Sequence, residues 1–284
     1  MPRKLLPALV LCLVLFSAAA AQADGDIYVG GPWGTRITSL PCEIKTPGSY
    51  YLGGNLLYAG TSNAITISSD NVTLDLMGFK LERTGAIVPH GIYMTGRTNV
   101  EIRNGTLIGW LCGIQESDDS GRLHRIINVR VVNAAILLKG LGHLVKGCEV
   151  TTGQAYVPID IKTGTVSGCT LKFVNGLGIA ISGGIIRDNV LIGTGTGTFH
   201  YGISGQGNGV LVKGNKVSGC NVGIACNSGW NIIGNTVDAA NGTLGVGLPD
   251  NYSNLLDQNT VTGAGTHYSI NLTNTKVYQR GTNF

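Results

Sequence analysis

No convincing amphipathic helix follows residue 24, which leaves β structure to carry the fold. Charged residues are scarce, at 13% of 284, and the formal charge is only +4. Taking away Arg3 and Lys4, which fall in an apolar leader, leaves +2. There is no basic run and no aromatic stacking platform, so nucleic acid is excluded as a partner. No cysteine pair has the short Cys-x-x-Cys spacing of a zinc site. His90, His124, His200 and His267 are scattered through turn-like segments. No metal or cofactor is therefore expected. Glycine is plentiful, at 44 residues, but lacks the Gly-X-Y period, which excludes collagen.

Long apolar runs are also missing. The one near the start, Leu5 to Phe16, is too short to span a membrane. It follows Arg3 and Lys4 and precedes Ala21-Gln22-Ala23, so residues 1–23 read as a secretory signal peptide. The expected protein is exported, periplasmic or extracellular, with no transmembrane segment. Removing Cys12 with the leader leaves six cysteines, an even number that an oxidising compartment permits to pair.

What the chain does have is a repeat. A small residue followed by an aliphatic one recurs ten times, at Ile65, Ile92, Ile114, Ile136, Ile159, Ile179, Ile203, Ile224, Val246 and Ile270. Intervals mostly in the low twenties, carried by short β segments and glycine turns, mark a solenoid. A second line runs in step with it: Leu76, Ile102, Ile126, Val145, Val166, Ile186, Val212, Ile232, Leu256 and Val277. Three residues after each comes a corner position: Phe79, Gly105, Val129, Cys148, Cys169, Asn189, Asn215, Asn235, Asn259 and Arg280. Parallel strands of neighbouring coils lie about 4.8 Å apart. The four asparagines are therefore expected to stack as an internal hydrogen-bonded ladder, the alternative being a polar binding stripe. Cys148 and Cys169 become neighbours by the same register. A bridge is within reach, although stacked parallel side chains aim poorly at each other.

The unbroken repeat argues for one domain over residues 61–284. Residues 24–60 do not fit it, and Pro32, Pro41 and Pro47 interrupt them. A solenoid needs its end covered, so this segment reads as an N-terminal cap. The glycines and alanines before the repeated Ile make a flat, featureless line. It is expected to be a tight turn, with a platform for an extended chain as the alternative.

The small-Ile phrases and the Asn-x-Val corners (Asn215-Lys216-Val217, Asn235-Thr236-Val237, Asn259-Thr260-Val261) resemble right-handed parallel β-helix repeats of the pectate-lyase-like superfamily. The stretch Pro47 to Leu52, leading to Asn71-Val72-Thr73-Leu74-Asp75-Leu76, is similar to the start of many secreted bacterial β-helix proteins. The resemblance implies an all-β, single-stranded right-handed parallel β-helix of about ten coils. It covers nearly all of the chain after the leader. Enzymes of this fold usually act on acidic polysaccharides, but the superfamily also holds non-enzymes.

The superfamily's catalytic motifs are mostly missing. Of the polygalacturonase set, Asp118-Asp119 matches one motif, Gly142-His143-Leu144 half of another, and Asp160-Ile161-Lys162 keeps only Ile and Lys of a third. Inverting hydrolysis needs a carboxylic acid and a carboxylate held apart around a water. Asp118 and Asp119 are the candidates, in a loop from Glu116 to Arg122 that looks flexible, while His143 is placed to turn inward. The pectate-lyase Arg-x-Pro-x-x-Arg pattern is absent. Val157-Pro158-Ile159-Asp160 lacks the His of the mannuronan-epimerase motif.

The remaining candidate is a broken cationic line just after the aliphatic stripe: Arg103, Lys146, Arg187 and Lys213, interrupted by Ile127 and Ser167. Such a line suits uronate or sulfate groups. The expected function is binding of polysaccharide or envelope material without established catalysis. The alternatives are a lyase, hydrolase or epimerase on acidic polysaccharide, and a rigid surface spacer.

Overall fold

In a computed structural model of the chain, the described residues are 34–85, 90–153, 157–195, 200–239, 244–248, 253–270 and 276–280, with the backbone alone at 248, 253, 269–270 and 276–280. The leader, residues 24–33 of the cap segment, Asn271 and the last four residues lie outside them. The described residues form 29 strands and no helix, wound as a parallel β-solenoid of about nine turns. Every named strand pairing is parallel, between one coil and the next. Three faces result, called A, B and C in chain order within a coil.

Face A carries the small-Ile phrase. Ile65, Ile92, Ile114, Ile136, Ile159, Ile179, Ile203, Ile224 and Val246 pair in unbroken register. All nine are fully buried. The tenth does not continue the column: Val246 pairs with Tyr268, two residues before Ile270.

The turn expected at this phrase is a strand instead. The small residue before the Ile is demanded by close approach across the interior. A Cβ at Gly202, Gly223 or Gly245 would overlap Val217, Val237 or Val261, which point inward from face C of the same coil.

Face B holds the aliphatic stripe, in register from Ile102 to Leu256. It too slips by two at both ends. Leu74, not Leu76, pairs with Ile102, and Gln279, not Val277, pairs with Leu256. At the first end a two-residue-longer corner, with Met77 and Gly78 at positive φ, makes the difference. Leu76 remains buried and fills the space a side chain at Gly105 would take.

From Asn104 onward the chain bends between faces B and C through a single left-handed residue per coil. That position is Asn104, Asn128, Gly147, Gly168, Asp188, Gly214, Gly234 and Gln258, with φ between 53 and 65°. Glycine, asparagine and aspartate tolerate this conformation best.

The next residue is the corner, and the asparagines there stack inside. Nδ2 of Asn189, Asn215 and Asn235 each donates to Oδ1 of the following Asn at 2.9 Å. The same oxygens accept the backbone N–H of the preceding corner at 2.9–3.1 Å. Each Nδ2 also donates back to a face B carbonyl of the previous coil, as Asn215 does to Ile186 at 3.0 Å. Asn189 Oδ1 extends the ladder to the Cys169 N–H at 2.9 Å. The bridge between Cys148 and Cys169 is not formed; both are free thiols. Their sulfurs point to the carbonyls of Ile126 and Val145 in the coil before.

Residues 34–60 already have coil geometry. Cys42–Ile44, Gly48–Leu52 and Leu56–Tyr58 pair with the strands of the following coil, and Ile37, Ile44, Leu52 and Tyr58 join the buried core.

Candidate functional site

Alternation along face A turns Glu43, Thr66, Tyr93, Gln115, Leu137, Asp160, Ala180 and Ser204 outward in one stacked column. Two residues further along, a second outward column carries Thr95, Ser117, Lys139 and Lys162. Lys139 and Lys162 immediately follow the paired Leu138 and Ile161, so they are neighbours in adjacent coils. In a chain with so few charges, the middle of face A is a concentration of them.

The carboxylates there have contrasting environments. Burial pushes the Asp160 carboxyl above its usual range, and the ammonium of Lys139 pulls it only part of the way back. Asp118 is held below its usual range, mainly by the hydroxyl and N–H of Ser120, with Lys139 adding to the effect. Its Oδ1 accepts both Ser120 groups, at 2.6 and 2.7 Å. Asp119 pairs with Lys162 at 3.1 Å. The two sequence candidates are therefore engaged separately, one closing a turn and the other in a surface ion pair. Asp160, visible in the sequence only as part of an imperfect motif, is the carboxyl with the altered environment. Burial, with some repulsion from Asp160, raises the Cys112 thiol to about 11.

The loop from residue 117 to 123 reaches over this face, as the Asp119–Lys162 pair shows, and is bound to a buried carboxylate. Glu116 occupies an inward position that Ile67, Met94, Leu138 and Ile161 fill in neighbouring coils. It is fully buried. Oε1 accepts the N–H groups of Gly96 and Asp118, both at 2.8 Å, and Oε2 accepts that of Arg97 at 3.1 Å. The same Oε2 lies 3.2 Å from His124 Nε2. His124 Nδ1 accepts the Val100 N–H at 3.3 Å, which places the ring proton on Nε2, facing the carboxylate.

His143 stacks on His124 with ring centroids 4.9 Å apart. Its Nδ1 accepts the His124 N–H at 3.2 Å and its Nε2 donates to the Lys139 carbonyl at 2.9 Å. Both histidines are buried, His143 in the inward position expected of it and His124 in the connection between strands. Glu116 could have been found in the sequence as the one charged residue two places after a repeated Ile.

At the end of the loop sits Leu123, with φ at +57° and its side chain 55% exposed. Asn71 and Asn99 take the equivalent place in the two preceding coils, and Asn99 Nδ2 donates to Asn71 Oδ1 at 2.8 Å. A left-handed conformation costs an ordinary side chain about 1–2 kcal/mol. Leu123→Asn should therefore stabilise the protein by about 1 kcal/mol, read as a higher midpoint in urea with an unchanged slope. A lower midpoint would show that Leu123 contributes packing the structure does not reveal.

The cationic candidates lie on face B, not face A. Arg103, Lys146, Arg187 and Lys213 do form one column, broken by Ile127 and Ser167. Two of them are locally neutralised. Arg103 is held by Asp75 at 2.8 Å and Glu101 at 2.9 Å, and Arg187 by Asp188 at 3.0 Å. Among the described residues, no cluster of three or more His, Cys, Asp or Glu is arranged to hold a metal, and no helix is long and apolar enough to cross a membrane.

No family model matches the chain, and no curated protein matches it in sequence. Solved structures do match in shape. The Dettilon tailspike protein superposes with a TM-score of 0.56 at 14% identity, covering 86% of this chain and 60% of the tailspike. The chain thus spans less than two thirds of the tailspike's length. An Azotobacter vinelandii mannuronan C-5 epimerase A-module gives 0.55 at 16% identity, over 83% of this chain and 91% of the module. A second epimerase A-module from the same organism gives 0.50 at 13% identity, over 83% and 89%. At these identities the likeness is one of fold: the chain is a parallel β-helix.

Proposed function

We propose that the protein is exported and binds a polysaccharide laid along the outer side of face A. The observation that carries this is the charged cluster of Lys139, Asp160 and Lys162 on adjacent coils of face A, joined by Asp118 and Asp119 from the 117–123 loop. Carboxylates accept sugar hydroxyls, and stacked ammonium groups take hydroxyl or acidic oxygens at the coil spacing of about 4.8 Å. Such binding requires no cofactor. The shape shared with epimerase modules that act on mannuronan supports a polysaccharide as the partner class.

The test is retention of the purified protein by a panel of polysaccharides. The double variant Lys139→Ala/Lys162→Ala should weaken retention by about tenfold or more, since one hydrogen bond to a charged group is worth about 1.5–3 kcal/mol. If the double variant Lys146→Ala/Lys213→Ala has that effect instead, the ligand lies on face B. No retention by any polymer at low salt would leave the rigid-spacer reading.

One observation favours a second reading, catalysis. Lys139 acts on two carboxyls whose environments drive them apart, Asp160 up and Asp118 down, the pattern that separates an acid from a base. Bond cleavage or epimerisation of a retained polymer, abolished by Asp160→Asn, would establish it.

A further inference from the structure

We infer that Arg97 and the hollow it lines on face A form the subsite for an acidic group of the polymer, a sugar carboxylate or sulfate. This rests on the reading that a polysaccharide lies along face A, and adds to it the charge class of the ligand and the residue that selects it.

The hollow has a volume of about 120 Å³ and is lined by Thr66, Ser68, Tyr93, Thr95 and Arg97. Thr66 and Tyr93 are outward residues of adjacent coils. Tyr93 forms a fixed wall, because its hydroxyl bonds Ser117 Oγ at 2.8 Å and its ring stacks on His90 at 5.4 Å between centroids. An aromatic ring held this way offers a flat apolar surface beside hydroxyl groups, which suits a sugar ring.

Arg97 differs from Arg103 in what holds it. Arg103 is braced by two carboxylates. Arg97 is braced by backbone carbonyls: Nε donates to Thr95 at 2.9 Å and Nη1 to Ser68 at 3.2 Å. The nearest carboxylate oxygen, on Asp70, stands 4.0 Å from Nη1, at the limit of an ion pair. Carbonyls fix the guanidinium plane without cancelling its charge. Two of its five N–H groups are used, so three are left for a planar anion.

The backbone at this point is equally constrained. The Arg97 N–H is bound by Glu116, and the Arg97 carbonyl accepts the Arg122 N–H at 2.9 Å. The buried Glu116 network thus sets the position of the guanidinium. Arg97 belongs to the coil two before that of Lys139, which puts the two cations about 10 Å apart along the axis. A polymer carrying regularly spaced acidic groups meets both with charge-assisted bonds, whereas a neutral one gains only weaker hydroxyl contacts from Arg97.

The experiment compares binding of the full protein to polygalacturonate, dextran sulfate and dextran at fixed ionic strength, with Arg97→Gln beside the unmodified protein. Arg97→Gln leaves the backbone bonds to Glu116 in place, and an unchanged melting profile verifies its fold. Affinity for one of the two anionic polymers should fall by about tenfold, as expected for loss of a charged hydrogen bond. Any binding to dextran should change far less. Loss with polygalacturonate identifies a carboxylate subsite, and loss with dextran sulfate a sulfate subsite.

Equal affinity of Arg97→Gln and the unmodified protein for both anionic polymers would overturn the inference. If Lys139→Ala/Lys162→Ala still weakens binding in that case, only the subsite has failed. If neither variant weakens it, the placement of the polymer on face A has failed as well.

Discussion

Replacing Glu116 with leucine should destabilise the protein by about 3 kcal/mol, even though leucine is what the next coil carries at that position, as Leu138. The apolar gain is real, about 1.5–3 kcal/mol for a fully buried leucine. Against it stand the N–H groups of Gly96, Arg97 and Asp118, which lose their common acceptor, and the His124 ring, which loses its partner. Each buried donor left unmade costs about 1–3 kcal/mol, so the stranded donors outweigh the burial. Chemical denaturation would check this, and a variant as stable as the parent would mean that the loop relaxes and rehydrates its donors.

The same cluster makes stability depend on acid. Burial alone would raise the Glu116 carboxyl, but the bonds from His124 and the three backbone donors together bring it below its usual value. Its contribution is complete above the unfolded carboxyl value and is lost as pH falls through the lower folded one. His143 acts earlier. Burial, reinforced by His124, depresses it to about 4. Between about 6.5 and 4 the unfolded chain takes up a proton there and the folded chain does not, so stability declines across that window as pH falls. His143→Gln should flatten the decline between pH 6.5 and 4 and leave the steeper loss below it.

Asn215→Asp should be more damaging than its size suggests, at about 3–5 kcal/mol near neutral pH. The substitution replaces an amide nitrogen with an oxygen. In the native corner that nitrogen faces only acceptors: the carbonyls of Ile186 and Lys213 and Oδ1 of Asn235. One oxygen of an ionised carboxylate there keeps the two donors from Asn189, but the other is buried against acceptors that repel it. The sign with pH follows. Protonation at low pH restores one donor, so the penalty shrinks on acidification and grows as pH rises. Thermal melts of the variant at pH 4 and pH 7 measure it. A penalty that is the same at both would mean that the corner has opened to water.

How far the fold is legible in the sequence depends on where a residue's reason lies. The repeated Ile and the Asn corners announce themselves because the same packing demand recurs in every coil. The column ends were misjudged by two residues, at Leu76 and at Ile270 and Val277. At Leu76 the reason is a longer corner, which pattern alone does not register when the aliphatic residue nearby is still buried. The glycines of face A were assigned to a turn because their cause, a valine on the opposite face, is distant in sequence. The site was the least legible part. Asp118 and Asp119 drew notice as an adjacent pair, while the raised carboxyl, Asp160, owes its state to burial, which outweighs the opposing pull of Lys139 in the preceding coil. Glu116 looked like the start of a loop because three of its four partners are backbone groups, which leave no mark in a sequence.

A rod built from one repeated unit looks the same from each coil. A polymer resting on such a surface can shift along it by one unit and find nearly the same contacts. Glu116 breaks that translational symmetry. It introduces a charge into a column of aliphatics at one coil only, and the loop it gathers is found nowhere else among the described residues. That gives an otherwise uniform rod a single address, with Arg97 on one side and Lys139 on the other.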